Sequence, residues 1–179
     1  MSLSYLGSMK LRTSSPYGKR MGDSRRFHEF SRIIRRHIPL TASIADVAGG
    51  KGYLQKSLRE LGFKEVTTWD KRSRYADSRV KHSYRYQWFS RDVKECYGAV
   101  VAMHPDEGTD HALLYALDHH IPAVICPCCV KPSATLYWGK HSFGNWKKHL
   151  TRLAEDRGVE PIWTAMPITG RNEVLIIKP

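Results

Sequence analysis

No stretch of this 179-residue sequence approaches the roughly 20 consecutive apolar residues of a membrane-spanning helix, so no transmembrane segment is expected. Acid is scarce: 17 Asp and Glu stand against 29 Lys and Arg, a formal net charge of +12. That excess is larger than solubility requires. It points to a polyanionic partner, because each phosphate neutralised by Lys or Arg releases counterions. Cysteine is limited to four residues, and residues 1–8 lack the charged start of a secretory signal. Free thiols in a reducing, cytoplasmic compartment follow from those two absences. Residues 1–8 read as a leader ahead of a start at Met9. There is no internal repeat, and the length suits one core of ordinary size, so tandem domains need not be invoked.

The most informative stretch present is Ile44-Ala45-Asp46-Val47-Ala48-Gly49-Gly50-Lys51-Gly52-Tyr53-Leu54. An apolar strand runs into three glycines within four residues, then into a helix patterned Leu54, Leu58, Leu61 and stopped by Gly62. A second strand, Val66-Thr67-Thr68-Trp69, ends at Asp70, 18 residues after Gly52. Strand, glycine turn, helix, strand and acid together build a nucleoside pocket in an α/β sheet. Glycines admit a ligand to the backbone, and the acid accepts from ribose hydroxyls. A dinucleotide fold would carry a third glycine three residues after the second; counting Gly50 and Gly52 as the first two, Gln55 stands there.

Asp-Val-Ala-Gly-Gly-Lys-Gly-Tyr-Leu resembles instead the first motif of class I S-adenosylmethionine (SAM)-dependent methyltransferases. The resemblance implies SAM as cofactor, its methionine part against the glycine loop and its ribose on Asp70. Asp46, Ala48, Gly49, Gly50, Gly52, Tyr53, Asp70, Trp88, Phe89 and Met103 are the expected cofactor contacts. Trp88 and Phe89 enter as aromatics able to flank an adenine, although either can equally be core.

The remaining elements fit one such domain over residues 41–179, preceded by a basic segment and helix over 9–40. From Lys10 to Leu40 there are nine Lys and Arg against Asp23 and Glu29. Asp23 or Ser24 can cap a helix with the stripe Phe27, Phe30, Ile34, Ile38, ending before Pro39. Arg25, Arg32 and Arg36 fall off that stripe: a solvated face, or a phosphate-binding entrance together with Arg12 to Arg26 and Tyr17. Gly98–Met103 and Ala123–Cys126 read as buried parallel strands, with a helix through Ala112, Leu113, Ala116 and Leu117 between them. A helix from Phe143 to Arg157 and a terminal hairpin, Ile162–Ala165 with Val174–Ile177, complete the chain. The fold expected is α/β: a mostly parallel seven-stranded, Rossmann-like sheet with an antiparallel C-terminal hairpin and helices on both faces.

A second block is His104-Pro105-Asp106-Glu107-Gly108-Thr109-Asp110, followed after the next strand by Cys126-Pro127-Cys128-Cys129. It is similar to a branch of SAM-dependent methyltransferases that includes relatives of the tRNA 2'-O-methyltransferases and methyltransferase-like proteins of unassigned substrate. Asp-Glu-Gly stands where several relatives carry Cys-Gly, so the substrate class does not transfer. Both segments follow strands at the edge where α/β sheets bind ligands. Methyl transfer is chiefly alignment, with a general base when the acceptor is a hydroxyl. His104 is the candidate base and Asp106 the reserve, unless His104 merely turns the chain. A second scheme has Lys131 lower the pKa of a ribose hydroxyl, with Glu173 holding the lysine. No Asn/Asp-Pro-Pro-aromatic run follows the fourth strand, which argues against methylation of base amino groups.

Cys126 and Cys129 have metal-ligand spacing, but no second pair accompanies them and nothing selects His141 or His149, so no metal is expected. A cysteine methyl-carrier would place Pro-Cys after the fourth strand; Pro127-Cys128 follows the fifth. Tyr84–Trp88 and Tyr137–His141 set aromatics beside cations, which suits stacking on unpaired bases as well as core-plus-rim packing. Tyr137, Trp138 and Lys140, with the three arginines, are the expected substrate contacts. The function expected is methyl transfer to RNA, with a ribose hydroxyl favoured. The alternatives are a small-molecule methyltransferase, or a nucleic-acid binder that kept the fold and lost the chemistry.

Overall fold

Alternate residues of the strands build two cores, one on each face of a single sheet. The computed structural model describes residues 23, 25–72 and 83–179. Its strands are β1 (Ile44–Val47), β2 (Val66–Trp69), β3 (Tyr84–Arg85), β4 (Ala99–Met103), β5 (Ala123–Cys126), β6 (Ile162–Ala165) and β7 (Glu173–Ile177). They lie in the order β3-β2-β1-β4-β5-β7-β6. The first five are parallel; β7 runs antiparallel to β5, and β6 antiparallel to β7. Parallel strands covered on both faces need near-continuous apolar runs, and β1, β4 and β5 are buried at every position.

Ile44, Val66, Val101, Val124 and Ile176 face one core. Phe30 and Ile34 of α1 (Arg26–His37) and Leu54 and Leu58 of α2 (Tyr53–Glu60) fill it from above. Ala45, Val47, Val100, Ile125 and Leu175 face the other core. Leu113 and Tyr115 of α3 (Thr109–Asp118) and Trp146 and Leu150 of α4 (Phe143–Glu155) close that side. Ser142 caps α4 by accepting from the Asn145 N–H at 3.3 Å. Strand order reverses between β1 and β4. In open α/β sheets that is where a ligand crevice forms, beyond the carboxyl ends of the strands.

The expected α/β architecture, with its seven strands and closing hairpin, is the one observed. Two details differ. β3 is only two residues long, too short to show a period of two, and no strand was expected at Tyr84-Arg85. The last helix ends at Glu155 rather than Arg157, with the chain reversing at Gly158, whose φ is +73. Asp23 does not cap the helix: it lies two residues before the cap position, Arg25, whose N–H its Oδ1 accepts from. Ser24, the expected leader over 1–8 and the basic stretch from Lys10 through Tyr17 lie outside the described residues. Among the described residues no helix is long and apolar enough to cross a membrane.

Candidate active site

The turn after β1 is shaped by left-handed backbone at Ala48 (φ 55), Gly50 (φ 59) and Gly52 (φ 76). Gly49 is required for another reason. A Cβ there would lie 2.2 Å from Asp46 Oδ2 and 2.6 Å from Thr68 Cγ2, so the loop is pressed against the sheet. Gly50 N–H donates to Asp70 Oδ2 at 3.0 Å, and the Tyr84 hydroxyl donates to Gly50 O at 2.5 Å. The loop is thereby tied to the ends of β2 and β3.

Over these strand ends lies a crevice of two lobes that meet at Ala48, Arg72 and His104. The larger, of about 330 Å³, is lined by Asp46, Gly49, Gly50, Tyr53 and Met103, with Arg26 and Phe27 contributed by α1. The smaller is lined by Trp69, Asp70, Trp88, Phe89 and Asp106. All the expected cofactor contacts except Gly52, which shapes the turn, therefore border one crevice. Arg26 was missed. Its neighbour Arg25 is exposed and pairs with Asp23 at 2.6 Å, whereas Arg26 is one step on, on the cleft side.

Asp46 is wholly buried on the strand beneath the loop. Burial pushes its pKa up to about 7, against the hydrogen bond it accepts from Thr68 Oγ1 at 2.9 Å. Its Oδ1 has no hydrogen-bond partner among the described residues. A buried acceptor left open beneath a glycine loop fits a ligand that brings a donor or a cation to it. Asp70 is the opposite case. Burial works to raise its pKa, but the Arg72 guanidinium and the Arg72 and Gly50 N–H groups hold it below the ordinary value. Arg72 Nη2 reaches Asp70 Oδ2 at 2.8 Å and Nε reaches Oδ1 at 2.9 Å. A ribose on Asp70 would share or displace that arginine.

Beyond β4 the chain turns through left-handed backbone at His104 (φ 53) and Asp106 (φ 52). His104 Nε2 lies 2.9 Å from Arg171 O. A carbonyl only accepts, so Nε2 carries the proton and Nδ1 keeps the lone pair. Burial lowers the His104 pKa, which keeps the imidazole neutral. Lys131 Nζ lies 3.5 Å from Asp106 and 4.0 Å from Glu107. Glu173 does not hold Lys131, contrary to expectation: it is on β7 facing α4, where Lys147 Nζ meets it at 2.5 Å.

Asp110 was quoted in the motif but given no role. Its buried carboxylate accepts from the N–H groups of Ser133, Ala134 and Thr135 at 2.8–3.1 Å, and from the Thr135 hydroxyl at 3.1 Å. It pins the loop that follows β5. Further along that loop the Tyr137 ring packs on Trp146 and His149, and its hydroxyl donates to Lys140 O at 2.7 Å. Trp138 is 89% exposed and Leu136 80% exposed, with Lys140 beside them. Of the aromatics after β3, Trp88 is partly exposed under Lys71, whose Nζ is 4.9 Å from the ring centroid. Phe89 is buried edge-on against Trp69 and Tyr115. Arg32 and Arg36 are exposed on the outer face of α1.

No family model matches the chain. No curated protein matches it either. Solved structures do. The sugar N-methyltransferase KedS8 from Streptoalloteichus sp. ATCC 53650 is similar at a TM-score of 0.60 and 15% identity, over 96% of this chain and 99% of that one. The ribosomal protein L11 methylase of Lactobacillus delbrueckii subsp. bulgaricus has a TM-score of 0.60 and 18% identity, over 88% and 79%. PH1948 of Pyrococcus horikoshii, assigned provisionally to the RNA methyltransferases, has a TM-score of 0.52 and 16% identity, over 83% and 79%. At such identities the likeness is one of fold. The fold is one shared with these methyltransferases, whose named acceptors are of several chemical classes.

Proposed function

We propose that the chain is a SAM-dependent methyltransferase acting on RNA, with a ribose hydroxyl as acceptor. One observation carries the cofactor reading: the two-lobed crevice at the β1/β4 reversal joins a glycine loop, an unpartnered buried carboxylate oxygen and the acid ending β2. Asp46 would face the amino end of the methionine part, with Arg26 among the cations that line the same lobe and could face its carboxylate. Asp70 would take the ribose and Trp88 and Phe89 the adenine. Bound there, the donor supplies an electrophilic methyl group on a sulfonium.

The residues at the junction of the lobes serve the acceptor. His104 presents a neutral imidazole with Nδ1 as its acceptor atom, held in place by the Arg171 carbonyl. From that position it takes the hydroxyl proton as the oxygen becomes nucleophilic. Lys131 lines neither lobe, but through its pair with Asp106, which borders the smaller one, it would bring positive charge to the acceptor side.

RNA is favoured by charge and by exposed rings. The net charge is +12, Arg32 and Arg36 are exposed on α1 with Arg25 exposed just before it, and Trp138 stands out from the loop after β5. The last of these is a surface on which an unpaired base can stack. A small-molecule acceptor is the second reading, and the near-complete mutual coverage with a sugar N-methyltransferase favours it. Transfer of labelled methyl from SAM to total RNA tests the proposal, followed by mass spectrometry of the methylated nucleoside. Transfer that falls steeply with salt supports RNA; no transfer to RNA removes it.

A further inference from the structure

Asp106, Cys128 and Cys129 converge where β4 and β5 end. One carboxylate oxygen and the two Sγ atoms all lie within 4.8 Å of one another, and Cys128 Sγ is 3.2 Å from Asp106 Oδ1. Sulfur ligands at about 2.3 Å from a tetrahedral zinc stand about 3.8 Å apart. The three atoms, none more than 4.8 Å from another, need close by no more than about 1 Å to reach that spacing. Asp106 reaches it from a left-handed conformation (φ 52), which costs a non-glycine residue energy and recurs at ligand sites. Lys131 Nζ, 3.5 Å from Asp106, completes the charge balance. Two thiolates and a carboxylate around a divalent ion leave one negative charge, and the ammonium offsets it.

We propose that Asp106, Cys128 and Cys129 form a zinc(II) site with one open coordination position. Thiolate ligands select soft or borderline ions over magnesium or calcium. Cys126 is outside the set: it is buried, and its Sγ points to Arg171 O at 3.7 Å. This is why the spacing of Cys126 and Cys129 in the sequence did not reveal the cluster. His104 is also outside it, since Nε2 donates to the same carbonyl. Three protein ligands with a free position is the arrangement of catalytic rather than structural zinc. Asp106 borders the smaller lobe of the crevice, so the free position lies beside the cofactor cleft. A hydroxyl bound there would be polarised for attack; this last step rests on the methyltransferase reading, whereas the metal site does not.

The test is zinc binding to the reduced full-length chain, measured by chelator competition, with cobalt(II) as a spectroscopic substitute. About one equivalent of zinc is expected, and the cobalt form should show thiolate charge-transfer absorption. Cys128→Ser and Cys129→Ser should each weaken binding roughly 100-fold, and Asp106→Asn roughly 10-fold. Cys96→Ser, at an exposed position, should change nothing. Should either cysteine variant lose its fold, Asp106→Asn carries the comparison. Wild-type zinc affinity no higher than that of the Cys128→Ser/Cys129→Ser double variant, or a cobalt spectrum without thiolate bands, overturns the proposal. SAM affinity measured on the zinc-free protein reports on the methyltransferase reading separately.

Discussion

Gly49 and Asp46 stand so close that a Cβ on the glycine would meet the carboxylate at 2.2 Å. The loop that shapes the cleft is thus seated directly on the buried acid below it. Gly49→Ala must push the loop off the sheet or the carboxylate out of its site. Overpacking of this kind costs about 1–3 kcal/mol, and a drop of several degrees in melting temperature is expected. SAM affinity should fall with it. A variant that melts like the wild type would show that the contact is not as tight as described.

Asp46 gives the fold a pH dependence of known sign. Its folded pKa of about 7 lies above the unfolded value near 4. The protonated form is the one the fold favours. Its contribution is fully present below about pH 4 and is lost as pH rises through about 7. The gap corresponds to on the order of 4 kcal/mol when titration is complete. Urea midpoints should fall between pH 5.5 and 8.5 in the wild type and much less in Asp46→Asn. Equal slopes in the two proteins would remove Asp46 as the cause.

Asp110 holds three consecutive backbone N–H groups of residues 133–135. Asp110→Ala leaves these donors without their acceptor, each at a cost of about 1–3 kcal/mol where water cannot reach. The loop after β5 should become sensitive to limited proteolysis near residue 133. Acceptor KM should rise while SAM affinity stays within about twofold, because Asp110 does not line either lobe of the crevice.

Trp138 is almost fully solvent-exposed, so removing it should leave stability within about 0.5 kcal/mol. Stacking on a base is worth about 1–3 kcal/mol, and Trp138→Ala should therefore weaken RNA binding roughly 10-fold. Tyr137→Ala should do the reverse, lowering stability through its lost packing on Trp146 and His149. RNA affinity untouched by Trp138→Ala, measured at fixed salt, would exclude that ring as a stacking surface.

The elements most legible in the sequence were those with long apolar runs or glycine punctuation. β1, β4 and β5 are buried at every position, and the loop from Ala48 to Gly52 needs its backbone conformations. β3 was invisible because two residues display no period. The stripe Phe27, Phe30, Ile34 and Ile38 does face the core, but the crevice-lining Arg26 has no signal that sets it apart from its neighbour Arg25, which is bound to Asp23. Long-range pairings were the least legible. Glu173 reaches Lys147 rather than Lys131, Asp110 closes on a loop 23–25 residues downstream, and Asp106 meets Cys128 rather than standing alone. Each depends on how loops of different strands come together, which local pattern does not encode.

The cleft between Asp46 and Asp70 is tested most directly by calorimetric titration of the purified chain with SAM. The account predicts saturable binding near one equivalent, abolished by Gly50→Arg, which projects a long side chain from a left-handed position with open space around it. Asp70→Ala should weaken binding about 10-fold or more, through the lost charge-assisted hydrogen bonds to ribose. No heat of binding in the wild type, or binding that Gly50→Arg leaves intact, would contradict it.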